Sequence, residues 1–195
     1  VCICGAAIIL FKWLNYFSRA IIAVHFLTRR LQKVRRFQAM SDIDLIQINV
    51  HGKPQGKVGI LSDIARQVCA ATTRLYADGG FVAPWLGYLA CQHGRLVGAC
   101  AFKAPPADGE VEIGYLTFPG YEGKGVATAM VRQLLHIAHA EQPQLTVVAH
   151  TADEENASNA ILKKLGFRFA GAFMHPEDGP MWSWQLTQEQ AVLEK

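Results

Sequence analysis

Gly123 and Gly125 flank Lys124 where a strand-like run, Glu112 to Phe118, gives way to an amphipathic helical pattern. A helix start leaves main-chain N–H groups unpaired, and the aligned peptide dipoles favour negative charge there. With no side chain on either glycine, a phosphate can approach those N–H groups closely. The plain alternative is that the glycines only make a tight strand-to-helix turn. Such a turn does not require two glycines beside a lysine and an alanine, so anion binding is the expectation carried forward.

Three phosphate patterns compete for these residues. A nucleotide-hydrolase P-loop needs Gly, four residues, then Gly-Lys-Ser/Thr. Here Gly125 follows Lys124, and Phe118 stands five before Gly123, so the pattern fails twice. The dinucleotide fingerprint fails because position 128 is Thr and no acid-bearing βαβ unit follows. The third pattern fits. The run Glu112 to Phe118 and then Tyr121 to Met130 resembles the pyrophosphate loop of the GNAT-superfamily N-acetyltransferases, in the ribosomal-protein-acetyltransferase-like branch. Their Gln/Arg-x-x-Gly-x-Gly/Ala maps onto Glu122, Gly125 and Ala127, with an extra glycine at 123, and Glu122 departs from the usual Gln/Arg. A second stretch, Ala149 to Phe167, resembles the family's later motif, an Asn and a Ser ahead of a short helix ending in Leu-Gly-Phe. Together the two cover about Ile43 to Leu186 of the family's domain.

The resemblance implies acetyl-CoA as cosubstrate, no metal, and transfer of acetyl to a primary amine of a small molecule or protein N-terminus. Gly123, Lys124, Gly125, Val126, Ala127 and Thr128 would hold the pyrophosphate. In the family the strand before the loop splays from its neighbour and pairs with the pantetheine arm, a role falling here on Leu116, Thr117 and Phe118. Glu112 matches the Glu of a Glu-Ile-Gly-Tyr string found in some relatives and is the candidate general base; a solvent-facing or ion-paired strand Glu is the plain alternative. His150 is the second candidate, since imidazole is the side chain that titrates nearest neutrality. Many relatives protonate the leaving thiolate with a Tyr four residues before the Gly of the Gly-Phe pair, but that position is Leu162. Ser158, Asn156 or a water must then serve, unless Tyr115 or Tyr121 reaches in. Asn156 also has an ordinary use as helix N-cap. The missing Tyr leaves a second reading open, a non-catalytic acyl-CoA-binding regulatory module.

The elements that must position these groups are legible as patterns. Ile43 to Val50 reads as a first strand, and Leu61, Ile64, Ala65, Val68, Cys69, Leu75 and Tyr76 have helical spacing between Ser62-Asp63 and Gly79-Gly80. Trp85 to Cys91 and Leu96 to Phe102 flank His93-Gly94 as a hairpin, and Val111 to Phe118 is the next strand. A helix from Gly125 to about Ala140 puts Ala127, Met130, Val131, Leu134, Leu135 and Ala138 on one face. Leu145 to Ala149, a helix over Ala157 to Leu165, and a hairpin of Phe167 to Phe173 and Met181 to Leu186 complete the order. The expectation is an α/β fold with a mixed, mostly antiparallel central sheet and flanking helices. In Met181-Trp-Ser-Trp184 alternation puts both indoles on one side, as packing or as the wall of an acceptor groove. His136 and His139 have metal-ligand spacing without a third ligand, so a solvated helix face is the simpler reading.

Seven of the 19 basic residues and none of the 16 acids lie in residues 1–40, which leaves the rest at −4. A mildly acidic domain is a poor nucleic-acid binder. The division expected is therefore residues 1–40, a hydrophobic and basic extension, and residues 41–190, the acetyltransferase domain. Lys12 and Arg19 interrupt the apolar stripe of the extension, short of the ~18 uncharged residues a spanning helix needs. It reads as a membrane anchor, as an amphipathic helix on an anionic surface, or as sequence translated ahead of a start at Met40. The compositional break at Met40 favours the last. Any membrane contact is expected only through these residues. Of five cysteines, Cys69, Cys91 and Cys100 sit in apolar runs as small hydrophobes, and a reducing cytoplasm is the simplest compartment. A monomer or homodimer is expected.

Overall fold

Val97, Val111, Ile113 and Val147 fall on alternate positions of strand-like runs, and Met130, Val131, Leu134 and Ala138 recur at helical spacing; all are buried in one apolar cluster. Sheet and helix faces of matching period close a common core in this way. The computed structural model describes residues 43–187; the expectations for residues 1–40 lie outside them. Strands are β1 (Ile43–Gln47), β2 (Gly87–Gln92), β3 (Arg95–Phe102), β4 (Glu110–Thr117), β5 (Thr146–Ala152), β6 (Arg168–His175) and β7 (Gly179–Leu186). Helices are α1 (Asp63–Gly79), α2 (Val126–Glu141) and α3 (Ala157–Lys164). The order β-α-β-β-β-α-β-α-β-β is the one the patterns imply. Ser62 accepts from the Ala65 N–H and caps α1, while His93 and Gly94, at φ 50° and 74°, make the β2–β3 turn.

One seven-stranded sheet has the order β1-β2-β3-β4-β5-β7-β6. Only β4 and β5 run parallel; every other neighbouring pair is antiparallel. This is the mixed, mostly antiparallel α/β sheet expected. Thr117 pairs with Gly98, and a Cβ at Gly98 would meet Met130 of α2 at 3.0 Å, so the odd-numbered residues of β4 look toward α2. Leu116 pairs with Ala99, which packs with Ala65 and Cys69 of α1, so the even-numbered residues look the other way. A Cβ at Gly98 would also lie 2.7 Å from the Leu116 carbonyl oxygen. That glycine therefore lets α2 and β4 approach β3 as closely as they do.

The first turn of α2 departs from the simple stripe. Val126, Thr128 and Ala129 are buried along with Met130 and Val131, whereas Ala127 and Leu135 are only partly covered. The helix starts deep in the molecule, where neighbours surround it on more than one side. Trp184 is buried and donates from Nε1 to Thr151 Oγ1 at 3.0 Å. Trp182 pairs with Thr151 across the strands and so shares that face, opposite Met181 and Ser183. Packing is the role both indoles have here. Cys69, Cys91 and Cys100 are free thiols and buried. Among the described residues no helix is long and apolar enough to cross a membrane, and no three His, Cys, Asp or Glu side chains gather as a metal set.

Candidate active site

The parallel pairing of β4 with β5 stops early. It runs from Glu110 opposite Thr146 to Ile113 opposite Ala149, although β4 continues to Thr117 and β5 to Ala152. Past Ile113 the two strands part, and main-chain groups of β4 that would have met β5 are left facing a gap. Strand alternation decides which groups these are. The Lys103 N–H donates to the Glu112 carbonyl and the Phe118 N–H to the Val97 carbonyl, both at 2.9 Å, so even-numbered residues address β3. Tyr115 and Thr117 address the gap. The expected trio Leu116, Thr117 and Phe118 thus divides. Thr117 is set toward the opening, and the Leu116 main chain is turned to β3. Phe118 is fully engaged, its N–H on Val97, its carbonyl accepting from the Tyr121 N–H at 3.1 Å and its side chain buried. Beside Thr117, the main chain that faces the gap is that of Tyr115.

The gap opens toward the loop before α2. Gly123 and Gly125 hold φ of 70° and 84°, the left-handed region that L side chains avoid at a cost of about 1–2 kcal/mol. A Cβ at Gly123 would meet nothing within 4 Å, so open space lies against that main chain. Gly125 is the N-cap of α2 and brings no side-chain cap. The Ala129 N–H donates to the Gly125 carbonyl, which begins the helical ladder and leaves the N–H groups of Val126, Ala127 and Thr128 without intrahelical partners. Thr128 contributes only that main-chain group, since its side chain is buried. Glu122, where the family has Gln or Arg, accepts from the Gly120 N–H at 2.7 Å. Lys124 Nζ donates to the Gly120 carbonyl at 2.6 Å and lies 5.3 Å from the Tyr121 ring centre. Both charges brace the loop and keep a cation beside the helix mouth.

Glu112 and His150 come together as the two candidate bases. Glu112 Oε1 lies 3.3 Å from His150 Nδ1, on the face of the sheet away from α2. The side chains are 35% and 23% exposed, where an ion pair adds only about 0–1 kcal/mol to stability. His150 also packs against Phe173 of β6 in a tilted contact, 4.7 Å between ring centres. Ser158 and Asn156 stand at the start of α3. Asn156 accepts from the Asn159 N–H at 3.1 Å, the capping role foreseen for it. The Tyr115 hydroxyl donates to the Ser158 carbonyl at 3.4 Å and ties β4 to α3. Burial, the larger influence, pushes the Tyr115 phenol above its ordinary pKa, and hydrogen bonding from Ser158 pulls it down.

A cavity of about 410 Å³ joins these groups through the gap. Its walls include Glu112 and His150 from one face, and Tyr115 and Ser158 from the other. Ile113 and Gly114 of β4 also line it, as do Lys103, His175, Glu177, Asp178 and Met181, and sequence reasoning missed these last five as site residues. The reason is strand order: β7 inserts between β5 and β6, which carries the β6–β7 turn to the His150 wall. His175 Nδ1 accepts from the Asp178 N–H at 3.1 Å in that turn. Alternation alone would have put Met181 on the side opposite the two indoles, the one signal available.

Leu162, the position where relatives carry the acidic Tyr, is fully buried in the main core. Leu162→Tyr is therefore expected to destabilise by about 1–3 kcal/mol through overpacking, without raising activity. Urea denaturation beside a turnover assay checks both halves.

A family model described as the acetyltransferase (GNAT) domain matches residues 36–168. Among solved structures, MccE, a microcin C7 self-immunity acetyltransferase in complex with acetyl-CoA and AMP, is 16% identical. The match covers 64% of this chain and 70% of that one, with a TM-score of 0.52. RimL, the ribosomal L7/L12 alpha-N-protein acetyltransferase in complex with coenzyme A, is 18% identical over 64% and 72% of the two chains, with a TM-score of 0.52. Mutant forms of the spermidine/spermine N-acetyltransferase SpeG from Vibrio cholerae are 13% identical over 78% and 98%, with a TM-score of 0.56. At these identities the likeness concerns the fold. A search of curated protein sequences finds no match.

Proposed function

Because the chain belongs to the GNAT acetyltransferase family, we propose that it transfers acetyl from acetyl-CoA to a primary amine of a small molecule or protein N-terminus, by direct attack. The observation that carries this reading is the parting of β4 from β5 beyond Ile113, with a glycine-hinged helix mouth at one end and the Glu112–His150 pair at the other.

In this reading the N–H groups of Val126, Ala127 and Thr128 hold the pyrophosphate, helped by the helix dipole and Lys124. The open flank of Gly123 admits it. Main-chain groups of Tyr115 and Thr117 take the pantetheine arm as a further strand would be taken, and an N–H there polarises the thioester carbonyl. Asn156 keeps its cap through Oδ1 and has its amide nitrogen for the cofactor. Glu112, in contact with His150, accepts the proton that an amine carries at neutral pH, directly or through water. Ser158 lines the opposite wall. The three buried free thiols fit a reducing, cytoplasmic setting.

The test is thiol release from acetyl-CoA against a panel of amines, with mass detection of product. Amine-dependent release in step with N-acetyl product is expected. The burial of Leu162 where relatives place a Tyr favours one rival, a non-catalytic acyl-CoA-binding module. Calorimetric binding of CoA without release across the panel would favour that rival, and absence of binding at millimolar CoA would overturn both.

A further inference from the structure

We infer that Tyr115, from the strand rather than from the helix, is the general acid that protonates the leaving thiolate, an assignment that rests on the acetyl-transfer reading above. Two features of the fold carry it. Because side chains alternate along β4, Glu112 and Tyr115 lie on opposite faces of the sheet. In an intact sheet such groups never share a site. Here β5 departs after Ile113, and one cavity reaches both. A thioester threaded through the opening meets a base on one side and a phenol on the other.

The second feature is the anchorage of that phenol. Its hydroxyl rests on the Ser158 carbonyl at 3.4 Å, a bond long enough to exchange for a better acceptor. Its main chain belongs to the pair that faces the gap, so hydroxyl and pantetheine share one wall. The other candidates are weaker. Leu162 has no proton to give. Asn156 caps α3 through Oδ1, and its remaining amide N–H is a far weaker acid than a phenol. The Tyr121 ring packs against both core clusters with Lys124 over its face. Ser158 bears an aliphatic hydroxyl, a far weaker acid than a phenol. Burial raises the Tyr115 phenol above its ordinary value of about 10, yet it remains a far stronger acid than an aliphatic hydroxyl.

The Glu112–His150 pair takes a proton from the ammonium ion, and the amine nitrogen forms the C–N bond. The resulting adduct loses a second proton toward the same pair. Collapse breaks the C–S bond, and the electron pair leaves on sulfur. Tyr115 gives sulfur its proton and regains one from solvent, while the Glu112–His150 pair returns its two to solvent, so one proton is released net per turnover.

The experiment compares acetyl-CoA with its selenoester analogue, whose selenolate leaves without needing a proton. For Tyr115→Phe, kcat with acetyl-CoA should fall about 10²-fold. With the selenoester the fall should be under about fivefold, and the KM for acetyl-CoA should stay within about twofold. Equal losses with both donors would make Tyr115 a packing residue and overturn the assignment, as would no loss with acetyl-CoA. If Tyr115→Phe does not fold, 3,5-difluorotyrosine at this position keeps ring and hydroxyl while strengthening the acid. The alkaline fall of kcat should then move to lower pH, and an unmoved limb would overturn the assignment. Wild-type protein that binds CoA yet releases no thiol would remove the reaction itself, a result distinct from any produced by the variants.

Discussion

Glu112→Gln should lower kcat by about 10²–10³-fold while acetyl-CoA affinity stays within about twofold. The amide has nearly the same shape, so it keeps packing and strand geometry and loses only the ability to take a proton. Glu112 is about one-third exposed and stands on an ordinary strand position, so little stability is at stake. His150→Gln, at 3.3 Å from it, should also lower kcat. If the two act as one unit, the double variant will be no worse than the poorer single one. Losses that multiply would mean separate roles, with His150 acting on the acceptor rather than on the shared proton. A Glu112→Gln enzyme with unchanged kcat would remove the proposed base altogether.

Gly125→Val should abolish measurable acetyl-CoA binding by calorimetry while the domain remains folded. Its φ of 84° costs a β-branched residue at least the ~1–2 kcal/mol of the left-handed region, against a stability of about 5–15 kcal/mol for a typical domain. Relief of that strain re-aims the first turn of α2, and a side chain at the N-cap intrudes where the pyrophosphate is proposed to sit. Thermal shift reads the same effect differently. At ligand about 100-fold above Kd, the wild type should gain roughly 2.7 kcal/mol and the variant almost nothing. Lys124→Ala is the control. Its ammonium holds the Gly120 carbonyl at the loop surface, so the affinity loss should be under about tenfold. A Gly125→Val protein that binds as well as wild type would show that the helix mouth is only a turn.

The order and kind of elements could be read from the chain because each depends on neighbours in sequence. Ser62 and Asn156 cap their helices through N–H groups three residues on, His93-Gly94 turns a hairpin within two residues, and glycines at 123 and 125 answer to their own dihedrals. The glycine-hinged loop before α2 was legible for the same reason: a helix start and its exposed amides are local objects. Glu112 and His150 could each be named, yet their contact could not, since it needs the register of two strands separated by a whole helix.

What the tertiary structure decided were relations between strands. Whether a main-chain amide faces a partner or a gap depends on where pairing with β5 ends, and that leaves Tyr115 and Thr117, rather than Leu116 and Phe118, facing the opening. The cavity wall of His175, Glu177 and Asp178 exists only because β7 lies between β5 and β6. Local preferences are energies of a few adjacent residues, and the chain states them wherever it is read. Strand order, register and the end of a ladder are set by competition among distant surfaces for burial, and no short stretch of sequence contains that competition.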